Sequence, residues 1–414
     1  MNMRFETLHL LRCPFCGSKV ELNTGVFHRV DANGEIRDAL LACRCCEFLV
    51  SDGIAVMTLW PEAEVARAAI VDERPADALR AMLNFTGDAP ASRLIGPDGE
   101  PLGTYRSIAE GVGEQFEGGY FVYRFSDPTF VVADAVVRAV VPAVLDGHSR
   151  AIDLCGGSGH LTRSLAAASP SPPVITDISF IKLWLARHFT APGADAVLAD
   201  AEVPLPFASG AFRFVVCNDA FHYIWHKAML AREMARITDT RGVTAITHTH
   251  NAETWTPSQG TALRADHYRA LFEHAEARVY SEQLALPDII SGRINLARHD
   301  ADATLASDQA FFVLAPQDNR IFREYDLPSP EIVRGELKFS PLYDVALSNG
   351  HAALTLHYPS QDYEDEYGAS RAYLPDTVQV GNDTLTAMHD GRLTADIEDL
   401  MRRRVVIDLP PNYL

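Results

Sequence analysis

Apolar runs alternate with polar turns along the middle of the chain, and this pattern predicts the strands of an α/β domain. Residues 151–154 form an apolar run around one acidic residue, and a helix-like stretch, 161–168, follows a short glycine cluster. Three further apolar runs, each closed by a polar residue, are predicted strands: 173–176, 196–199 and 212–217. Short strands separated by helix-length segments are typical of a sheet with helices on both faces.

A glycine-rich turn, Gly156-Gly157-Ser158-Gly159, directly follows the first of these predicted strands. Glycine lacks a Cβ and tolerates unusual φ values, so a ligand can approach the backbone closely. The N-terminus of the following helix offers free N–H groups to a polar or negatively charged ligand group. Alone, such a turn often marks only tight packing between strand and helix.

Acidic residues strengthen the prediction of a ligand site, because each one lies in a predicted strand or within two residues of its end. In an open α/β sheet, ligands bind outside the carboxyl ends of the strands. A carboxylate after the second strand suits a ribose diol, since it can accept both hydroxyl hydrogens. Solvated loop ends or helix caps are the alternative for any single residue, but the ordered set favours one functional edge: Asp153, Asp177, Asp200 and Asp219.

Taken in their order along the chain, the glycine-rich turn and the acidic strand ends resemble the motifs of the class I S-adenosylmethionine-dependent methyltransferases. Residues 153–159 are similar to the family's first motif, acidic-x-Gly-x-Gly-x-Gly, although Cys155 replaces the first glycine. A second departure is Arg213, where an aspartate is common after the phenylalanine. The resemblance covers roughly residues 120–285, with a last strand at 311–314. It implies a doubly wound, Rossmann-like methyltransferase sheet.

The resemblance also implies a site for S-adenosylmethionine. Asp177 matches the family's ribose-binding acid, and Asp200 with Ala201 matches the segment that holds the adenine. Because residues ahead of the first motif often cover the cofactor in this family, Tyr120, Tyr123 or Arg124 is expected to close over it. The predicted cofactor-binding residues are Asp153, Cys155, Gly156, Gly157, Gly159, Asp177, Ile178, Asp200, Ala201, Asn218 and Tyr123.

Methyl transfer depends mainly on aligning the nucleophile, the methyl group and the sulfur. A base is needed only when the acceptor must lose a proton. Histidine titrates near neutral pH and suits that role, so the predicted catalytic residues are His222, His248, His250 and Asp219. A structural role is the alternative for His222. His248 and His250 could also hold a metal, but no third ligand has convincing spacing.

Two Cys-x-x-Cys pairs near the N-terminus predict a zinc site with the ligands Cys13, Cys16, Cys43 and Cys46. This paired spacing is a zinc signature, and four thiolates satisfy a structural zinc ion. Cys45 is a spare thiol or an alternative ligand. The segment resembles the zinc ribbon of the tRNA-methyltransferase activator subunit, and similar ribbons precede some methyltransferases. Two disulfides are the alternative, which the expected cytoplasmic location disfavours.

Composition limits the classes of partner. The chain has 414 residues, a formal net charge of −19 and a hydrophobic fraction of 47%. No apolar run reaches the ~18–20 residues that a membrane span needs, and no signal peptide is expected. Nucleic-acid binding draws most of its affinity from Lys and Arg, so the acidic charge disfavours nucleic acid without excluding it.

Four regions are expected: a zinc ribbon (1–60), a helical linker (61–118), a SAM-binding methyltransferase domain (119–316) and a C-terminal extension (317–414). The sequence favours methyl transfer to a small-molecule or peptide acceptor. Alternatives are an RNA methyltransferase that binds substrate through its ribbon, a non-catalytic partner-binding protein, or another reaction that depends on S-adenosylmethionine (SAM).

The acidic, tyrosine-rich segment 358–373 is interpreted as a solvated loop whose tyrosines pack on the sheet, with a substrate lid as the alternative. The oligomeric state is not predicted.

Overall fold

The computed structural model describes residues 2–83, 94–112, 118–273, 275–298, 300, 302–327, 329, 332–348 and 350–414. The predicted linker includes a Gly/Pro-rich stretch, 87–103. Residues 87–93 of that stretch lie outside the described residues. None of the helices in the described ranges is both long and apolar enough to cross a membrane.

The N-terminal region is a small antiparallel sheet with one short helix. Its elements are α1 (Phe5–Leu10), β1 (Glu21–Leu22), β2 (Arg29–Val30), β3 (Ile36–Ala42), β4 (Glu47–Ser51) and β5 (Ile54–Val56). Asp52 and Gly53 join β4 to β5 and have φ values of 46° and 74°. Positive φ at both positions of a two-residue turn matches the twist of the flanking strands.

Short helices link this region to the central sheet. They are α2 (Pro61–Val71), α3 (Pro75–Met82), α4 (Tyr105–Val112) and α5 (Gly118–Phe121), followed by a 3₁₀ turn over Arg124–Ser126. Proline occupies the first turn of both α2 and α3, where its missing N–H costs nothing.

The central region alternates strands and helices. Its strands are β6 (Ala151–Leu154), β7 (Val174–Asp177), β8 (Asp195–Leu198), β9 (Phe212–Asn218), β10 (Thr238–His250), β11 (Arg278–Ser281), β12 (Arg293–Asn295) and β13 (Ala310–Pro316). Its helices are α6 (Pro128–Val144), α7 (His160–Ala168), α8 (Phe180–Leu185) with a π-helical turn at Ala186–Thr190, α9 (Lys227–Ile237), α10 (Ala265–Ala270), α11 (Glu282–Ile290) and α12 (Asp302–Leu305).

The strand order confirms the predicted fold class. The sheet runs β5-β8-β7-β6-β9-β10-β13-β11. Neighbouring strands from β5 to β10 pair in parallel, whereas β13 is antiparallel to β10 and β11. The order reverses between β6 and β9, and such a switch point is where doubly wound sheets bind ligands. The predicted last strand at 311–314 is β13.

The N-terminal sheet and the central sheet are continuous. β5 pairs in parallel with β8, and Ile54, Ala55 and Val56 lie opposite Ala196, Val197 and Leu198. The backbone groups of β8 on that side are therefore satisfied by the N-terminal region rather than by solvent.

The C-terminal extension adds small sheets and helices over the α6 side of the central region. Its strands are β14 (Glu324–Asp326), β15 (Glu336–Phe339), β16 (Tyr343–Ser348), β17 (His351–Leu356), β18 (Thr377–Val380) and β19 (Val406–Leu409). Its helices are α13 (Gln361–Tyr367), α14 (Asn382–His389) and α15 (Ala395–Arg402).

The acidic, tyrosine-rich segment is not a solvated loop, because it folds as α13 and a following 3₁₀ turn. Tyr363 and Tyr367 are buried in the same core as the valines of α6. Tyr363 also meets the rings of Tyr120 and Tyr123 at 5.5 and 5.6 Å between centroids. Packing of the tyrosines was predicted, and the helix was not.

Candidate functional site

The glycine turn after β6 has the backbone of a close-approach site. Cys155, Gly157 and Gly159 have φ values of 55°, 57° and 83°. A Cβ on Gly156 would lie 2.8 Å from the Asp153 carboxylate, so no larger residue fits there without displacing the strand. Cys155 adopts a backbone conformation that residues with a side chain rarely adopt, and no local pattern of residues predicted that strain.

Asp153 lies beneath this turn and is fully buried. Its Oδ2 accepts a hydrogen bond of 2.7 Å from the Thr162 hydroxyl, whereas its Oδ1 has no partner among the described residues. Burial, together with the nearby charge of Asp177, raises the pKa of Asp153 to about 7. Asp153 therefore supports the turn from behind.

Asp177 ends β7 and faces the same turn. Its Oδ2 accepts from the Gly157 N–H at 3.0 Å and its Oδ1 from the Ser179 N–H at 2.8 Å. Each carboxylate oxygen has two lone pairs, so the group keeps acceptor capacity for a diol. The next residue, Ile178, is 53% exposed. An exposed apolar side chain beside an oriented carboxylate fits a nucleoside, which has a flat base and a polar sugar.

Asp200 and Ala201 follow β8 on the same edge of the sheet. Asp200 Oδ1 accepts from the Glu202 N–H at 2.8 Å, which fixes the direction of the carboxylate, and Ala201 is buried. Asn218 ends β9, and its Oδ1 accepts from the Thr247 hydroxyl at 2.8 Å. The predicted edge residues thus lie at the carboxyl ends of adjacent strands.

Arg124 connects the segment before α6 to this edge. Its Nη1 donates to Asp219 Oδ2 at 2.7 Å and lies 3.5 Å from Asp127. The guanidinium is nearly buried, between the rings of Phe121 and Tyr367. Burial opposes ionisation of Asp219, but the neighbouring Arg124 outweighs it and lowers the pKa of that carboxyl. Arg124 reaches the edge, whereas Tyr123 faces α13.

His248 and His250 lie at the end of a long strand, β10, which continues through His250. A β-bulge interrupts its pairing with β13 between Ile246 and Thr249, and His248 has φ 47°. Bulges redirect side chains and are common beside active sites.

Each of these two imidazoles has a carboxylate neighbour. His248 Nδ1 lies 2.8 Å from Glu282 Oε2, and His250 Nε2 lies 3.1 Å from Glu366 Oε1. Burial lowers the pKa of His248, but Glu282 raises it to about 9 overall. Glu282 begins α11 and Glu366 belongs to α13, so no local spacing in the sequence could have linked either to a histidine.

His222 is fully buried, and neither ring nitrogen has a hydrogen-bond partner among the described residues. Its ring stacks on His250 with centroids 3.8 Å apart. Burial and the neighbouring His250 lower the pKa of His222 to about 2. This position suits packing support for His250.

A cavity of about 370 Å³ opens beside the histidines. It lies between the end of β10, the start of α11 and the extension, and its lining includes His248, His250, Thr256, Glu282 and Glu366. Its volume is in the range of small-molecule sites.

The N-terminal cysteines form a compact sulfur cluster. The sulfur atoms of Cys13, Cys16, Cys43 and Cys45 lie within 4.8 Å of one another. Cys45 Sγ is 3.6 Å from that of Cys13 and 3.7 Å from that of Cys43. Tetrahedral zinc with bonds of about 2.3 Å separates its ligands by roughly 3.8 Å, so the cluster fits zinc. Cys45 belongs to this group, and the sulfur of the predicted ligand Cys46 lies beside it, 3.3 Å from that of Cys45.

Residues 151–242 match a family model described as methyltransferase domain. None of the curated proteins compared with the chain matches it. Among solved structures, a chain from the complex of the Haloferax volcanii Trm112 methyltransferase activator with a methyltransferase is similar, at 16% identity and TM-score 0.37, over 52% of this chain and 98% of that one.

Two other similar structures also have low identity. Geranyl diphosphate C-methyltransferase from Streptomyces coelicolor A3(2) shows 13% identity and TM-score 0.34, over 45% of this chain and 77% of its own. The YcgJ protein from Bacillus subtilis shows 13% identity and TM-score 0.31, over 44% and 99%. Similarity at this level carries no argument about substrate.

Proposed function

We propose that the chain is an S-adenosylmethionine-dependent methyltransferase that methylates a small-molecule or peptide acceptor held in the cavity beside His248 and His250. The match of residues 151–242 to a methyltransferase domain supports the reaction class. The observation that carries the proposal is the position of this cavity. It lies at the end of β10, adjacent to the strand ends that carry the cofactor-site residues, and the extension forms one wall.

The cofactor would lie along the carboxyl ends of β6, β7 and β8. The turn at 156–159 suits its amino-acid end, Asp177 its ribose, and Ile178, Asp200 and Ala201 its adenine. Cys155 and Asn218 border the same edge, Asp153 supports it, and Tyr123 stays a prediction. When bound, S-adenosylmethionine supplies an electrophilic methyl group on a good leaving group.

The cavity lining favours an acceptor with hydrogen-bond donors. Its charged residues besides the histidines are the acids Glu282 and Glu366, and Asp219 lies close to His248 and His250. Such a lining attracts hydroxyl or amine groups and repels a phosphate backbone. The net charge of −19 acts in the same direction.

The candidate catalytic residues would act on the acceptor's polar end. His248 and His250 line the cavity, and the carboxylates beside them fix their ring orientations, as in other histidine–carboxylate pairs. His222, behind His250, would act as a positioning residue. Asp219, fixed by Arg124, would complete the polar wall.

The experiment has two parts, cofactor binding and label transfer. Calorimetry with S-adenosylmethionine and its demethylated product should show binding by both. Labelled methyl groups should then appear in a small-molecule or peptide fraction of a cell extract. Transfer to RNA would overturn the acceptor class, and absence of cofactor binding would overturn the enzyme itself.

We also propose that the N-terminal cluster holds a structural zinc ion through thiolates. The sulfur spacing supports it, and the N–H groups of Cys45 and Cys46 point at Cys43 Sγ, at 3.5 and 3.3 Å. Such bonds stabilise a thiolate ligand. Metal analysis of the purified protein should find one zinc ion that a strong chelator removes.

A further inference from the structure

Asp219, His248 and His250 converge at the edge of the acceptor cavity. One ligand atom from each lies within 4.8 Å of the other two, which approaches the separation of donors on a single ion. Asp219 follows β9, and the histidines lie on the neighbouring strand β10. The sequence offered no third ligand for the two histidines, because Asp219 meets them only through the pairing of β9 with β10.

The backbone is specialised at these positions. Asp219 and His248 both have positive φ, at 52° and 47°, and the bulge in β10 lies between Ile246 and Thr249. Strained, non-glycine residues of this kind concentrate at functional sites. In a regular strand, successive side chains point to opposite faces of the sheet. The bulge interrupts this alternation at His248.

Carboxylates contact both histidines of the cluster, as they often contact histidines that bind metals. Such histidines typically present one ring nitrogen to the ion and the other to a carboxylate, carbonyl or water. Glu282 lies 2.8 Å from Nδ1 of His248, which leaves Nε2 available. Glu366 lies 3.1 Å from Nε2 of His250, and the Thr256 hydroxyl lies 3.2 Å from its Nδ1. An ion bound at Nδ1 would therefore displace the Thr256 hydroxyl from that nitrogen.

Buried ring nitrogens near the cluster lack partners, which is a further sign of an ion. Within the described part of the chain, neither ring nitrogen of His222 has a hydrogen bond. His222 is fully buried, and its ring stacks on His250 with centroids 3.8 Å apart. Buried polar atoms are nearly always hydrogen-bonded, and a bound ion or its water is one common partner of those that lack a protein partner.

We infer that Asp219, His248 and His250 bind a divalent first-row transition ion. Two imidazoles and one carboxylate suit Zn²⁺, Fe²⁺, Co²⁺ or Mn²⁺ better than Mg²⁺ or Ca²⁺, which prefer oxygen ligands alone. Three protein ligands leave coordination positions open, as sites that bind substrate or water do. These positions would face the cavity of about 370 Å³.

Given the proposed methyl transfer, this ion narrows the acceptor to a compound with a metal-binding hydroxyl, such as a hydroxy acid or a catechol. An acceptor hydroxyl bound at an open position would have a lowered pKa and would lose its proton to solvent. Its oxygen would then form the new O–CH₃ bond while the S–CH₃ bond breaks, and the sulfonium would leave as a neutral thioether.

Equilibrium dialysis of full-length protein against Co²⁺, with metal counted by mass spectrometry, tests the site. The ribbon is kept loaded with zinc, and zinc is counted in the same samples. The wild type should bind one Co²⁺ per chain. His248→Ala and His250→Ala should weaken Co²⁺ binding at least 100-fold, with the ribbon zinc and the affinity for S-adenosylmethionine unchanged.

His226→Gln is the matched control, because His226 lies near the same edge, is exposed and pairs with Glu202. It should bind Co²⁺ like the wild type. Equal Co²⁺ binding by the wild type and both alanine variants, or no binding by the wild type, would overturn the metal site. Methyl transfer by metal-free protein would leave the proposed function standing, whereas bound Co²⁺ with no cofactor binding would remove that function alone.

Discussion

Glu366 Oε1 lies 3.1 Å from Nε2 of His250, and this pair joins the C-terminal extension to the catalytic sheet. Ser258 holds the same carboxylate, with its hydroxyl donating to Oε1 at 2.6 Å. Burial raises the pKa of Glu366, but His250 and Ser258 outweigh it and lower that pKa to about 2. The carboxylate is therefore ionised and fixed in orientation.

Replacing Glu366 should impair turnover without affecting the cofactor. We expect Glu366→Ala to lower kcat by 10–100-fold, the usual effect of removing a carboxylate that orients a histidine, with unchanged affinity for S-adenosylmethionine. Glu364→Ala is the control, since Glu364 lies on the same helix but pairs at the surface with Arg371. Equal activity of the two variants would show that the extension does not act on the site.

Asp177 should dominate cofactor affinity. Asp177→Asn removes a charged acceptor and places an amide donor near the Gly157 N–H, so we expect binding of S-adenosylmethionine to weaken 10–100-fold, or roughly 1.4–2.7 kcal/mol. Calorimetry measures the change. Asp146→Asn is the control, because Asp146 precedes β6 at the opposite edge of the sheet and is exposed. If Asp177→Asn bound S-adenosylmethionine with wild-type affinity, Asp177 would not be the residue that binds the ribose.

Substitution can show whether Cys45 or Cys46 is a zinc ligand. The structure brings Cys45 into the sulfur cluster, so Cys45→Ser should lose zinc and lower the unfolding temperature, because structural zinc contributes directly to folding. Cys46→Ser should keep its zinc. Metal content per chain, measured before and after a mild chelator, distinguishes them, and the reverse outcome would restore the predicted ligand set.

Asp52 should make the stability of the N-terminal region depend on pH. Its carboxylate contacts Arg187 and His188, in the π-helical turn that follows α8, at 3.1 and 3.0 Å. Burial raises the pKa of Asp52, but His188 and Arg187 outweigh it and hold the pKa well below its usual value. A depressed folded-state pKa gives stability above the ordinary pKa of about 3.9 that is lost as the pH falls below it.

Asp52→Asn should therefore lower the free energy of unfolding at pH 7 by about 3 kcal/mol, since it leaves Arg187 buried without its partner. Asparagine tolerates the positive φ of this position, so the turn itself is preserved. Chemical denaturation from pH 7 down to pH 3 provides the measurement. The difference in the free energy of unfolding between the variant and the wild type should decrease as the pH falls. A difference that stayed constant with pH would show that the effect comes from packing and not from the charge of Asp52.

Local patterns in the sequence predicted the parallel sheet, its glycine turn and the acidic edge, because strand ends and turns are encoded by adjacent residues. The partners of the histidines were not predictable in this way. Glu282 and Glu366 reach His248 and His250 only through tertiary packing, and the bulge that turns His248 depends on its pairing with β13. The choice between Cys45 and Cys46 depends on how one short turn folds. The domain boundaries and the roles of the site residues stay predictions.

The pairing of β5 with β8 determines how the protein would respond to truncation of its N-terminal region. Deleting the first 60 residues would expose one whole side of β8, and bare strand edges recruit other chains. A truncated enzyme would be prone to self-association even if every catalytic group were intact. The N-terminal region therefore belongs to the same folding unit as the central sheet and is not a detachable accessory.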